Sequence, residues 1–213
     1  LKNFETCPKR YYAIDVAKQF KEDEDNDHLK YGNFVHTSIA DRINAERKPL
    51  PPTLEKLLEP WAVKVLTPPF DQVLVEQQLA ITEDLQKTTW FGDDVWFRAV
   101  VDVLKIVGPV ALAIDWKTGK IVEDSVQLAL TAACVFAHHP EVHALRTDFV
   151  WLKEDATTRA DFTRADMPGM WAGLLPRVTT LRRATDAMEF PPKPNGLCKR
   201  WCVVENCPHH GVG

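Results

Sequence analysis

The segment VWFRAVVDVLKIVGPVALAIDWKTGK, residues 95–120, sets the strongest limit on what this chain can fold into. Its first part alternates with period two, so Trp96, Arg98, Val100, Asp102, Leu104 and Ile106 share one face of an extended strand. Gly108 and Pro109 then turn the chain back into a second strand, with Ala111, Ala113, Asp115 and Lys117 on one face and Leu112, Ile114 and Trp116 on the other. The pattern therefore predicts a hairpin with Asp102 in mid-strand and Asp115 and Lys117 at the end of an otherwise apolar run. An ionised group taken out of water costs several kcal/mol unless it is paired or bound to a metal. These charges are either structural and paired, or chemical.

The neighbouring segments read as helices and further strands. LKNFETCPKRYY, around Pro8, predicts a short helix, a break and a second helix. Leu29, Val35, Ile39 and Ile43 recur at helical spacing and predict an amphipathic helix over 28–46, with His36 beside that stripe. KPLPPTLEKLLEPW predicts a short helix capped by Thr53 and stopped near Pro60. In VLVEQQLAI, Glu76 shares a strand face with Leu74, Gln78 and Ala80, and Gly92, Asp93 and Asp94 supply the turn before the long strand. EDSVQLALTAACVFAHH predicts a helix capped by Asp124 or Ser125 with Gln127, Thr131 and Cys134 on one stripe. DFVWLK is one more strand, and Asp166 with Pro168 opens a helical region interrupted by Pro176 and running to about Met188. The tail from Pro191 is loop-rich. The expected fold class is α/β, a central mixed β-sheet flanked by α-helices.

At 213 residues the chain suffices for one substantial core, and no linker divides it, so a single domain over 1–213 is expected. With 45% hydrophobic and 26% charged residues, and apolar runs well short of the roughly 20 residues that a membrane helix needs, no membrane span is expected. Nor does a basic, then apolar leader follow Leu1, so the expected setting is cytoplasmic. A net charge of −4 argues against coating nucleic acid by bulk charge; DNA binding would need a local basic channel, with Lys9, Arg10, Arg98, Lys120 and Arg200 as candidate phosphate contacts. The acidic stretch KEDEDND reads as an exposed linker. His138, His139, Trp61, Trp90 and Trp171 read as structural. Of five cysteines, Cys134 lies in an apolar helix and reads as core packing, whereas Cys7 and the crowded Cys198, Cys202 and Cys207 point to metal rather than disulfides.

Adjacent strands of a meander bring Asp102 and Asp115 together. Two acids at close range repel unless a cation lies between them, and Mg²⁺ or Mn²⁺ suits carboxylate oxygens and phosphate chemistry. Lys117 would orient a water or stabilise charge, while His36 and Glu76 could add ligands. The ordered motifs GNFVH (Gly32 to His36), RAVVD (ending at Asp102), DWKTG (Asp115 to Gly119) and QLALT (from Gln127) resemble the PD-(D/E)XK nuclease superfamily, in particular its RecB-type exonuclease branch, which includes CRISPR-adaptation and phage exonucleases. The resemblance covers nearly the whole chain and implies a restriction-endonuclease-like core that hydrolyses DNA at ends or in single strands, in recombination, repair or phage DNA processing. It also implies metal binding by His36, Asp102, Asp115 and the Trp116 backbone carbonyl, with Glu76 at a less constant acidic position. Lys117 is then the motif lysine and Gln127 a supporting glutamine of the catalytic set. Thr131, where the motif has tyrosine, Ala99, where glycine is common, and Asp115, where glutamate is more frequent, depart from the pattern. The same branch implies a [4Fe–4S] cluster on Cys7, Cys198, Cys202 and Cys207, in a module of 1–20 and 190–213 that packs the cysteine-rich tail near the N-terminus. Here the tail reads C-x3-C-x4-C rather than the usual spacing, and Zn²⁺ on these thiolates, or on three of them with His209 or His210, fits the chemistry as well. A structure-selective endonuclease and a non-catalytic DNA-binding or assembly subunit are the alternatives.

Overall fold

A computed structural model describes residues 1–21, 27–44, 47–122 and 125–212; most of the acidic stretch, Asp124 and the last residues of the expected 28–46 helix lie outside them. The chain divides into two compact units, Asp27–Met167 and the paired ends Leu1–Asn26 with Pro168–Gly213.

The central unit is a mixed six-stranded sheet with helices. Its elements are α3 (Asp27–Ile43), α4 (Pro52–Leu66), β1 (Gln72–Ile81), β2 (Lys87–Thr88), β3 (Phe97–Val107), β4 (Val110–Lys117), α5 (Ser125–His138), β5 (Ala144–Trp151) and β6 (Ala156–Thr163). The spatial order is β2-β1-β3-β4-β5-β6. Every neighbouring pair is antiparallel except β4 with β5, and α5 makes the crossover that a parallel pair needs. The hairpin forms as its alternation predicts, turning at Gly108, whose φ of 54° is a conformation that glycine adopts without strain.

Strand alternation also divides the sheet by face. Val103 pairs with Ile114, and these side chains, with Trp116, Val150 and Leu152, pack under Val35, Ile39 and Ile43 of α3 and Leu54, Leu58, Ala62 and Val65 of α4. On the other face Leu128 of α5 joins Phe149 and Trp151. Cys134 is fully buried in α5, and burial pushes its thiol up to about 12, which matches the expected packing role.

The structure corrects the expected elements at several places. α4 starts at Pro52 rather than behind a Thr53 cap, and it runs through Pro60 to Leu66. A proline inside a helix costs about 3 kcal/mol. The buried stripe Leu54, Leu58, Ala62 and Val65 spans the proline and outweighs that cost, since a fully buried Leu or Val contributes roughly 1.5–3 kcal/mol. β6 was not expected, because ATTRADFT lacks the branched apolar residues of a typical strand. It is an edge strand whose alternate residues are half-buried, and that needs little apolar content. The two-residue β2 is likewise too short to leave a pattern.

In the terminal unit Pro8 opens α2 (Pro8–Tyr11) behind α1 (Lys2–Thr6), as expected, and a π turn Tyr12–Val16 follows. α6 (Met167–Asp186) continues through Pro176 instead of being interrupted there, with Leu174 and Val178 buried one turn apart. Among the described residues, the tail from Pro191 has no helix or strand. Among the described residues, no helix is long and apolar enough to cross a membrane.

Leu58 is completely buried at the centre of the helix-covered face. Leu58→Ala leaves a cavity there and should lower the unfolding free energy by about 2–5 kcal/mol, read as a shifted urea midpoint at constant slope.

Candidate metal and nucleotide-processing site

The site is built where the β3–β4 ladder stops. Backbone pairing runs from Val107↔Val110 to Val103↔Ile114 and goes no further. The next residue on β3 is Asp102, only 7% exposed, and its Oδ2 accepts the Trp116 N–H at 2.7 Å. A side chain thus takes the hydrogen bond that a continuing ladder would have made. The Trp116 carbonyl accepts from His36 Nε2 at 2.8 Å, and His36 Nδ1 lies 3.3 Å from Asp102 Oδ1. α3 delivers His36 because Val35 and Ile39 anchor it in the core on either side. Gly32 of the same helix faces the DWKTG motif; a Cβ there would sit 3.4 Å from Thr118 Oγ1.

Glu76 completes a group. One ligand atom each from His36, Glu76 and Asp102 lie within 4.8 Å of one another, the spread at which a single ion can bridge them. Glu76 stands between Val75↔Val103 and Gln77↔Val101, across the strand from Asp102, but its φ of 50° breaks the extended backbone. Such a conformation in a non-glycine residue costs about 1–3 kcal/mol and clusters at functional sites.

Asp115 and Lys117 leave β4 on the face opposite Trp116. Lys117 Nζ is 2.9 Å from Asp115 Oδ2, and Gln127, in the first turn of α5, donates from Nε2 to that same oxygen at 2.8 Å. Gln127 Oε1 also accepts from Lys117 at 3.5 Å. Lys117 Nζ further lies 4.5 Å from the centroid of the buried Phe149 ring, a cation–π contact from the strand paired with β4. The structure therefore separates two sets. His36, Glu76 and Asp102 converge, whereas Asp115 is tied through Oδ2 to Lys117 and Gln127, with Oδ1 as its remaining donor.

The electrostatics describe a site short of positive charge. Burial holds the Asp115 carboxyl above the usual carboxylate range; Lys117 opposes this and Asp102 adds to it. Partial enclosure, then the Asp102 carboxylate, raise Glu76. His36 is raised chiefly by its bond to Asp102 against the opposing effect of burial, so as it stands the pair suits an imidazolium with both ring nitrogens donating. A divalent cation reverses this balance by replacing the proton and neutralising the acids.

Other candidates lie elsewhere. Arg98, on the β3 face of Asp102, donates from Nε to the Trp90 carbonyl at 2.6 Å, and Lys120 is exposed beyond β4. In the terminal unit Cys7, Cys198, Cys202 and Cys207 line one small cavity of about 10 Å³ together with Lys9, Arg10, His209 and His210. Arg200 is exposed in the same unit. Backbone N–H groups donate to two of the sulfurs, Lys193 to Cys7 at 3.5 Å and Asn195 to Cys198 at 3.4 Å. Among the described residues, no three of these sulfurs and ring nitrogens lie within 4.8 Å of one another. Phe149 escaped the sequence reading because its role comes from parallel pairing across a crossover. Glu76 was visible as a mid-strand acid, but its backbone had no signal.

A family model described as the PD-(D/E)XK nuclease superfamily matches residues 1–211. No curated protein matches the sequence. Among solved structures, one from Eubacterium rectale described as a candidate exonuclease has 15% identity over 94% of this chain and 84% of that one, with a TM-score of 0.51. The structure of SSO0001 has 12% identity over 98% of this chain and 84% of that one, with a TM-score of 0.45. At these identities the first likeness bears on the fold alone.

A metal ion needs neutral His36 and ionised carboxylates, and His36, Glu76 and Asp115 hold their protons above their ordinary ranges. Mn²⁺ affinity should therefore rise as pH climbs from the carboxylate range through the raised His36 value, and calorimetry in buffers of different ionisation enthalpy should show net proton release. A pH-independent affinity with no proton release would contradict this assignment.

Proposed function

Because this chain belongs to the PD-(D/E)XK nuclease superfamily, we propose that it is a divalent-metal-dependent deoxyribonuclease that hydrolyses phosphodiesters at DNA ends or in single strands. The observation that carries the reading is the convergence of His36, Glu76 and Asp102 beside the Trp116 carbonyl, with Lys117 held by Asp115 and Gln127 at the end of β4. His36, Asp102, Asp115 and the Trp116 carbonyl, with Glu76 beside them, would hold Mg²⁺ or Mn²⁺. The ion would polarise the phosphodiester and acidify a bound water. Lys117 would orient the attacking water and stabilise charge in the transition state, and Gln127 would keep Asp115 and Lys117 in register. Lys9, Arg10, Arg98, Lys120 and Arg200 are the proposed phosphate contacts. Processing of ends in recombination, repair or phage replication is the setting that such an activity suits.

Asp102→Asn keeps an acceptor for the Trp116 N–H while removing the charge, and Lys117→Ala removes the amine. Both variants should fold and lose Mg²⁺- or Mn²⁺-dependent digestion of linear DNA by about a hundred-fold or more, the order expected when a preorganised charge is removed. Wild-type digestion by both would sink the metal-site assignment. EDTA should stop the wild-type enzyme. Cutting of circular single strands would instead favour a structure-selective endonuclease, and absence of any cutting would favour a DNA-binding or assembly subunit.

The cysteines form a second part of the proposal, a [4Fe–4S] cluster held by Cys7, Cys198, Cys202 and Cys207 that ties the two chain ends. Four cysteines lining one cavity, two of whose sulfurs accept backbone N–H bonds, support this reading. Protein purified without oxygen should be brown and contain iron and sulfide, and Cys198→Ser should bleach it. A colourless protein with one equivalent of zinc would put zinc in the cavity.

A further inference from the structure

Phe91, between β2 and β3, is 88% exposed, the highest value of any large hydrophobic side chain among the described residues. It is nevertheless held on an ordered loop. Thr88 Oγ1 donates to Asp94 Oδ1 at 2.5 Å, Gly92 N to the Thr89 carbonyl at 3.0 Å, and Trp96 N to the Ile81 carbonyl at 2.9 Å. Gly92 is required at the tip, because a Cβ there would meet Thr88 Oγ1 at 2.7 Å and Asp94 Oδ1 at 2.9 Å. The neighbouring Trp90 has the Arg98 guanidinium over its ring at 5.9 Å and accepts from Arg98 through its carbonyl.

This loop lies in line with the candidate metal site. Asp102, Val100 and Arg98 alternate along β3 and so share one face, with Gln78 opposite Val100 and Ala80 opposite Arg98. Val100 is 46% exposed and Gln78 and Arg98 are exposed, so a lane along β3 is open on this face between buried Asp102 and Arg98, with Ala80 buried beside its far end. At about 3.3 Å per residue the lane is ~13 Å long, a span of a few nucleotides. It begins at the proposed metal ligands, passes a cation, and ends on two aromatic rings. Interleaved cations and aromatic faces are what an unpaired nucleic-acid strand needs, since every base has a face that stacks and every linkage carries a negative charge. A duplex keeps its bases stacked internally and offers a face to Phe91 only at its terminal pairs.

We propose that Trp90, Phe91 and Arg98 form a stacking platform for single-stranded DNA entering or leaving the metal site. The proposal rests on the nuclease reading for its direction, but it predicts binding that needs no catalysis. Fluorescence anisotropy in EDTA separates the two, with a labelled oligothymidylate of 20 nucleotides and a blunt duplex of equal length as probes. Phe91→Ala should weaken the single strand about ten-fold or more and leave duplex binding and the melting curve in place, and Phe91→Tyr should restore most of the affinity. Gly92→Ala, which displaces the tip, should reproduce the selective loss. Unchanged single-strand affinity in Phe91→Ala overturns the platform, as does an equal loss on the duplex. Unchanged affinity accompanied by altered self-association in sedimentation also overturns it and makes Phe91 a contact between copies of the chain. Loss of cutting in the wild type with selective binding intact would remove the nuclease reading and leave the platform standing.

Discussion

The bond between the Asp102 carboxylate and the Trp116 N–H is the contact on which the site is organised. A buried carboxylate in mid-strand is costly, and here the cost is offset by a backbone N–H withdrawn from the sheet together with the His36 imidazole beside it. The β3–β4 ladder ends at Val103↔Ile114, so the two backbone groups of Trp116 no longer serve the hairpin. Its N–H satisfies Asp102 and its carbonyl turns to His36. One residue's backbone therefore joins α3, β3 and β4, and the polar atoms left around that junction are the ligand types that hard divalent cations accept.

The rest of the central unit keeps that junction still. The Trp116 indole is buried edge-on against Trp61 of α4, at 5.8 Å between centroids, within the cluster formed by α3, α4 and the sheet. Fixing the side chain fixes the carbonyl, which lies on the same residue. Strand alternation then sends Asp115 and Lys117 to the opposite face, where Gln127 and Phe149 hold them. A packed core on one side and a charge-balanced pair on the other give a site whose parts are immobilised before any ligand arrives, which is the condition for electrostatic catalysis.

The terminal unit is closed differently. Its small core is aromatic, with Tyr12 stacked on Phe190 and Phe4 edge-on to Tyr11, and polar ties stitch the two ends. Arg177 pairs bidentately with Glu5, Lys193 Nζ donates to the Glu5 carbonyl, and Asn195 donates to the Thr6 carbonyl. These ties hold Cys7 beside the tail cysteines although 190 residues separate Cys7 from Cys198. A unit built from the two ends has a high loop-closure cost, and a metal or cluster that binds only the closed form would stabilise it by mass action.

Sequence alone determined the hairpin, the buried face of α3, and the placement of His36, Asp102, Asp115, Lys117 and Gln127 on their elements, because these follow from side-chain periodicity and local turn chemistry; the grouping of Cys7 with the tail cysteines came instead from the family resemblance. It did not determine that Pro60 and Pro176 stay inside helices, since packing along a buried stripe outweighs a local penalty only once the partner surface exists. β6 was invisible because an edge strand of small polar residues gains its stability from β5 rather than from its own pattern. The tertiary structure alone decided that Asp102 joins His36 and Glu76 while Asp115 joins Lys117 and Gln127. Which lone pair meets which hydrogen depends on where a ladder stops and on one left-handed residue at Glu76, and neither has a period that a sequence can carry.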